Sequence, residues 1–203
     1  LTGATRDDYG EWINIDSDMS GFVALCAVLG KLTKVNLSDC HLGPTSTGEL
    51  AKVFSDARAV LKKVVLSQNF VFGSKKRGSR TVHDVDADQT GWSALCDVLP
   101  AAPLEELIVA DIGMGVTGVT SLAKAISAGA VINEVNVSQN PIGVEGGKAL
   151  ANAIPESSLQ CIVIGDKSTR IPLHNSEITS LDVSAQELGP GEVTVVAAAI
   201  STY

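Results

Sequence analysis

The stretch INEVNVSQNPIGVEGGKALANAI, from Ile132 to Ile154, is written a second time with the same order of residue types as LTKVNLSDCHLGPTSTGELAKVF, from Leu32 to Phe54. A repeat of this size constrains the fold more than any single motif, because one such unit has apolar faces that only a stacked neighbour can cover. Its opening pattern, apolar-x-x-apolar-x-apolar, recurs as LTKVNL, LKKVVL, LEELIV, INEVNV, LQCIVI and ITSLDV, starting at Leu32, Leu61, Leu104, Ile132, Leu159 and Ile178. Alternation of this kind predicts a short strand whose second and third apolar residues face one way and the residue between them the other. After four of these strands a turn glycine leads into a helical stretch. In the Ile132 copy Val144, Ala149, Leu150, Ala153 and Ile154 fall at helical spacing.

The first five strand starts are separated by 29, 43, 28 and 27 residues, so the long step holds an insertion. A weaker internal match locates it. DSDMSGFVALCAVL at 16–29 and DADQTGWSALCDVL at 86–99 share Asp16/Asp86, Asp18/Asp88, Gly21/Gly91, Ala24/Ala94, Leu25/Leu95, Cys26/Cys96, Val28/Val98 and Leu29/Leu99. The Leu61 strand is therefore expected to run through NFVFGSKKRGSR into a second strand around Val82 to Asp86, which receives the helix. The same plan is expected for LQCIVIGDKSTRIPLHNSE leading into ITSLDV, and GATRDDYGEWINID reads as the tail of a third insertion. Strand-bearing units are expected near 10, 32, 61, 80, 104, 132, 159 and 178, in a single domain spanning 1–203. Leu1 is not an initiator residue and neither terminus carries a polar cap, so a fragment of a longer array is expected.

A 45% hydrophobic content with only 4% aromatic residues predicts a core of Leu, Val, Ile and Ala in thin repeated layers. The formal charge of −8 disfavours nucleic acid and anionic membrane and favours a basic protein partner. Cys26, Cys40, Cys96 and Cys161 form no C-x-x-C pair and read as thiols rather than a disulfide framework, so a reducing, intracellular and cytoplasmic setting is expected. No apolar run is long enough for a membrane helix, and no signal-peptide pattern opens the chain.

The run from Ile132 to Ala151 resembles the ribonuclease-inhibitor type of leucine-rich repeat, L-x-x-L-x-L-S-x-N-x-I-G-x-x-G-x-x-A-L-A with conservative swaps. The resemblance covers nearly all the chain. It implies an α/β solenoid, or horseshoe, with a parallel β-sheet on the concave face and helices on the convex face. It also implies that Asn140 is the ladder asparagine whose amide satisfies backbone groups of the neighbouring turn. Cys40, Ile112 or Gly113, and Gln186 stand where that asparagine is missing. The family includes enzyme inhibitors, immune sensors, GTPase-activating proteins and cytoskeletal adaptors, so the resemblance implies protein binding without naming a partner.

The concave stripe can be listed from the strand pattern: Asn14, Asn36, Val65, Asp84, Ile108, Asn136, Val163 and Asp182 at the central outward position, with Trp12, Lys34, Lys63, Glu106 and Glu134 beside it. Val65 and Ile108, with Asp84, Asp86, Asp88, Glu105, Glu106, Asp111 and Glu134, form an expected acid-rimmed patch. The candidate partner-binding set is Trp12, Val65, Asp84, Asp86, Glu106, Ile108, Asp111, Glu134 and Asn136, against the plainer alternative of a solvated sheet face. The basic run SKKRGSR at 74–80 is expected to be a solvated loop, with a contact to an acidic protein, a phosphorylation site at Ser74 or Ser79, nuclear targeting, or a flap over the acidic patch as alternatives.

Other motifs fail on chemistry. DVDADQTG at 84–91 lacks both the turn glycine and the bidentate glutamate of a calcium loop, and Asp88 or Thr90 is expected to cap a helix instead. GVEGGKAL is too short for a phosphate-binding loop and has Ala149 where a magnesium-binding hydroxyl belongs. The Asn36 and Asn136 glycosylation triplets fall in strands. His41, His83 and His174 are scattered, with His83 read as a core residue, so no enzyme, metal or cofactor is expected. The expected function is an intracellular scaffold binding a protein through the concave face and inserted loops. The alternatives are a structural subunit of a large assembly, or a GTPase-activating repeat protein, which would need an exposed Arg or Asn on a strand-to-helix loop where the sequence offers only Arg80 and Arg170, both in insertions.

Overall fold

A computed structural model describes the backbone of residues 1–73, 75–77 and 81–203, with side chains described outside 74–83. The chain order is β1 (Thr5–Arg6), β2 (Trp12–Ile13), α1 (Ser20–Leu29), β3 (Lys34–Asn36), α2 (Pro44–Ser55), β4 (Lys63–Val65), β5 (Lys75–Arg77), β6 (Thr81–His83), α3 (Thr90–Val98), β7 (Glu106–Ile108), α4 (Val116–Ser127), β8 (Glu134–Asn136), α5 (Gly143–Ala153), β9 (Cys161–Ile164), β10 (Thr169–Pro172) and α6 (Pro190–Ile200). The fold is mixed α/β. Strands β3, β4, β7, β8 and β9 run parallel in sequence order, and β10 adds to β9 antiparallel at the edge.

The strand pattern sets the core. Val35, Val64, Leu107, Val135 and Ile162 stand in register across the parallel strands, and all but Val35 are fully buried with Leu61, Leu104, Ile132 and Leu159 above them. Successive helices pack against one another, and small residues set how close they come. A Cβ on Gly91 of α3 would lie 1.8 Å from the Pro44 carbonyl oxygen of α2, and one on Gly191 of α6 would lie 2.3 Å from the Gly143 oxygen of α5. Only glycine permits that approach. Trp92 closes the core beneath α3, its indole N–H donating to the Gly118 carbonyl at 2.8 Å.

The asparagine ladder is present twice. The Asn140 amide N–H group donates to the Val109 and Val137 carbonyls at 2.7 and 3.1 Å, while its oxygen accepts from the Ile112 and Met114 N–H groups at 3.1 and 3.0 Å. Asn69 does the same for Leu37, Leu66, Cys40 and Leu42, at 2.7 to 3.0 Å. The Cys40 and Ile112 turns, which lack the asparagine, are thus satisfied by the asparagine of the following unit. Sequence reasoning missed Asn69, although Ser67-Gln68-Asn69 repeats Ser138-Gln139-Asn140.

The insertions differ from the expected second strands of the sheet. The strands near 10 and 80 are β2 and β6, and each closes a separate antiparallel hairpin, with β1 and β5. The segment at 178–183 forms no strand, and the sheet gains β10 instead. Two or three alternating residues specify extended backbone but not which neighbour receives its hydrogen bonds. Leu32, expected in the core, is 48% exposed, and among the described residues β3 pairs only with β4.

Candidate functional site

The open face of the sheet carries two rows of side chains. Asn36, Val65, Ile108, Asn136 and Val163 form one; Lys34, Lys63, Glu106, Glu134 and Cys161 form the other. Val65 and Ile108 are adjacent and half-buried, giving a short apolar strip between asparagines. Asn36 and Asn136 are held in place locally, each side-chain oxygen accepting the N–H and hydroxyl of the serine two residues on at 2.9 and 2.7 Å.

The acid-rimmed character expected of this face is corrected by ion pairing. Lys63 binds Glu106 across β4 and β7. Lys62 and Glu105 pair at 2.6 Å. Arg170, on the added strand β10, reaches over β9 and grips Glu134 through both guanidinium nitrogens at 2.7 Å each. This fork holds the Glu134 carboxyl below its ordinary value, against the opposing effect of partial burial. Cys161 and Val163 lie beneath that span and are buried, although the strand pattern points them outward. Burial pushes the Cys161 thiol up to about 11. An insertion residue therefore neutralises the face, and only the tertiary register reveals it.

Of the candidate set, the structure gathers Val65, Glu106, Ile108, Glu134 and Asn136 on one face and places the others elsewhere. Trp12, on the N-terminal hairpin, packs on His41 with ring centroids 3.6 Å apart and lies under the Arg6 guanidinium at 4.6 Å. Burial against this hairpin lowers the His41 pKa, opposed by Asp39. Asp111 is a half-buried turn residue with a left-handed backbone, and Asp84 takes the same conformation after β6. Asp182 accepts the Ser184 N–H at 2.8 Å in a loop.

Asp86 serves as a helix cap. Its carboxylate accepts the N–H groups of Gly115, Thr117 and Gly118 at 2.8, 2.8 and 3.2 Å, at the N-terminus of α4. Asp16 does the equivalent for α2, taking the Gly43 and Ser46 N–H groups at 3.1 and 2.9 Å and the Ser46 hydroxyl. The carboxylates sit where a Cβ at Gly43 or Gly115 would go, 2.6 Å away in each case. Asp88 accepts the Thr90 N–H and hydroxyl at 2.9 and 2.6 Å, as expected of the α3 start, and this lowers its pKa. Within the 74–80 run, expected as a loop, Lys75–Arg77 form β5 of a hairpin, while residues 74 and 78–80 and all side chains from 74 to 83, that of His83 included, lie outside the described residues.

Comparison with known proteins agrees with this architecture. A family model described as Leucine Rich repeat matches residues 131–151. No curated protein matches significantly. Among solved structures, "Leiomodin-1 Actin-Binding Site 2 (ABS2)" superposes with a TM-score of 0.59 at 12% identity, covering 91% of this chain and 88% of that one. At that identity the likeness is one of fold. Together these findings support a leucine-rich repeat protein.

Proposed function

We propose that this chain is a non-catalytic protein-binding scaffold, a horseshoe solenoid of the ribonuclease-inhibitor type whose contact surface is the open sheet face. The observation that carries it is the Val65–Ile108 strip, set between Asn36 and Asn136 and beside the Lys63–Glu106 and Arg170–Glu134 pairs. Rigid strands present these groups without a deep cavity, a surface suited to another polypeptide rather than to a small substrate. Because the charges are paired, the partner is one with a small apolar knob and mixed polar rim, in place of the strongly basic partner that the net charge favours. A reducing, intracellular setting suits four thiols that form no disulfide. Two of them, Cys26 and Cys161, are pushed up to about 11 by burial and stay protonated near neutral pH.

A GTPase-activating role draws less support, since Arg170 already holds Glu134 and is not poised for a phosphate. The neighbour's title makes actin the first defined partner to try. Co-sedimentation with actin and crosslinked pull-down from extract, each comparing the chain with Val65→Asp/Ile108→Asp, test the proposal. A partner captured by the chain and lost in the variant supports it. Equal capture by both baits overturns the sheet face as the contact.

A further inference from the structure

The chain repeats itself over 16–29 and 86–99, and the helices that follow, α2 and α4, are capped alike by Asp16 and Asp86. On the helix side the two copies part. In the second, the fully buried indole of Trp92 stands between α3 and α4 and donates to the Gly118 carbonyl at 2.8 Å. Beyond this wedge small side chains face each other, and a crevice of about 320 Å³ opens between the helices. Cys96, Asp97 and Pro100 line it on one side and Ser121, Lys124 and Ala125 on the other. Cys96 and Ala125 are buried at its floor, while Asp97 and Lys124 are exposed at its rim.

The correspondence of the copies sets Ala27 against Asp97 and Gly30 against Pro100 on the first helix of each, and Glu49 against Ser121, Lys52 against Lys124 and Val53 against Ala125 on the second. The first copy supplies its own filling. Val53 is buried, its Cγ1 3.7 Å from where a Cβ of Gly30 would go. Glu49 binds the Lys52 ammonium, and both act on the Cys26 thiol, whose pKa is raised first by burial. In the second copy the valine is an alanine, and the glutamate is a serine whose hydroxyl donates to the Thr117 carbonyl at 3.2 Å. The lysines of the other helices, Lys52 and Lys148, each bind a glutamate three residues earlier. Among the described residues, neither the Lys124 ammonium nor the Asp97 carboxylate has a hydrogen-bonded or ion-paired partner.

We infer that the α3–α4 crevice is a binding site for a small zwitterion, an aliphatic α-amino acid, separate from the sheet face assigned above. Each group of the ligand follows from a difference between the copies. Its side chain lies over Cys96 and Ala125, where the first copy has Val53. Its carboxylate meets Lys124, as Glu49 meets Lys52. Its ammonium meets Asp97, a charge that the first copy lacks at Ala27. A ligand with a single charge would leave the other rim charge unmatched, and one carrying both complements the pair. The volume stands at the small end of ligand sites, which run from roughly 300 to 1,000 Å³, and suits one residue rather than a peptide. Burial, and then Asp97, raise the Cys96 pKa, so the floor stays a neutral thiol that packs as an apolar surface.

The test is L-leucine titrated through the millimolar range into the 203-residue chain, with backbone amide and alanine methyl signals followed by NMR. Saturable shifts are expected at Cys96, Asp97, Lys124 and Ala125. Leucinamide, which lacks the carboxylate, and isocaproate, which lacks the ammonium, are each expected to bind about fivefold more weakly. Lys124→Gln and Asp97→Asn change exposed side chains and are expected to weaken leucine by about the same factor. Ala125→Val restores the first copy's filling and is expected to remove the shifts; should it disturb the fold, the two rim variants still decide the matter. The assignment is overturned by the absence of saturable shifts, by shifts centred away from these residues, by equal binding of leucinamide or isocaproate, or by unchanged binding in the folded variants.

Discussion

Residues 1–55 and 71–127 build the same hairpin, helix, strand and helix, yet among the described residues β3 is paired on one side only, by β4, whereas β7 is paired on both, by β4 and β8. The caps are the same: Asp16 serves α2 as Asp86 serves α4. The burial is not, since Gly91, Leu95 and Leu104 are covered where Gly21, Leu25 and Leu32 are exposed or half-exposed. The comparison separates what a unit does for itself from what its neighbour does for it. Local capping and turn chemistry are carried within a copy, whereas burial of the apolar ladder belongs to the stack.

Glycine substitutions break the equivalence most sharply. Gly91→Ala forces a Cβ to within 1.8 Å of the Pro44 carbonyl oxygen, whereas at Gly21 the nearest atom is 3.6 Å away. Chemical denaturation is expected to show a loss of about 3 kcal/mol for Gly91→Ala and a change within about 1 kcal/mol for Gly21→Ala. Equal effects would mean that α2 and α3 do not approach as described.

The two ladder asparagines sharpen it next. Asn69 and Asn140 each satisfy buried groups of two units, so either alanine variant is expected to lose about 2–3 kcal/mol in the same measurement. A much smaller loss at Asn69 would show that the open flank lets water replace the amide. Asp16→Ala and Asp86→Ala are expected to cost about 1–2 kcal/mol each, and to match, because each removes the acceptor at one helix N-terminus. A clear difference between them would place the caps, like the ladder, under control of the neighbours.

The smallest effect lies at the opposite end, where β10 covers β9. Arg170 holds the Glu134 carboxyl below its ordinary value of 4.5, so the pair's contribution is present above that pH and lost as pH falls through the lowered value. Glu134→Gln is expected to cost about 0.5–1 kcal/mol at neutral pH, with the difference from the unchanged chain shrinking below about pH 4.5 in denaturant titrations. A pH-independent difference would remove the ionised pair as the cause.

Much of this plan was legible before any coordinates. Leu32, Leu61, Leu104, Ile132 and Leu159 open segments that do form strands of the sheet, and Asn140 occupies the ladder position that its motif implies. The candidate face was legible in part: alternation placed Val65, Glu106, Ile108, Glu134 and Asn136 together, while Trp12, Asp84, Asp86 and Asp111 fell in hairpins and turns. The match of 16–29 to 86–99 held the signal for the paired caps, but a carboxylate in a sequence does not declare whether it faces solvent or the next helix.

The sequence by itself determined the unit: its strand, its helix, its turn glycines and the fact that units stack, because period-two and helical spacing are local properties of one chain segment. The tertiary structure alone decided which strands join the sheet, that Arg170 crosses to Glu134 and that Asp86 caps α4. Those outcomes depend on hydrogen-bond partners and charges brought together from distant parts of the chain, and short alternating segments do not specify their partners.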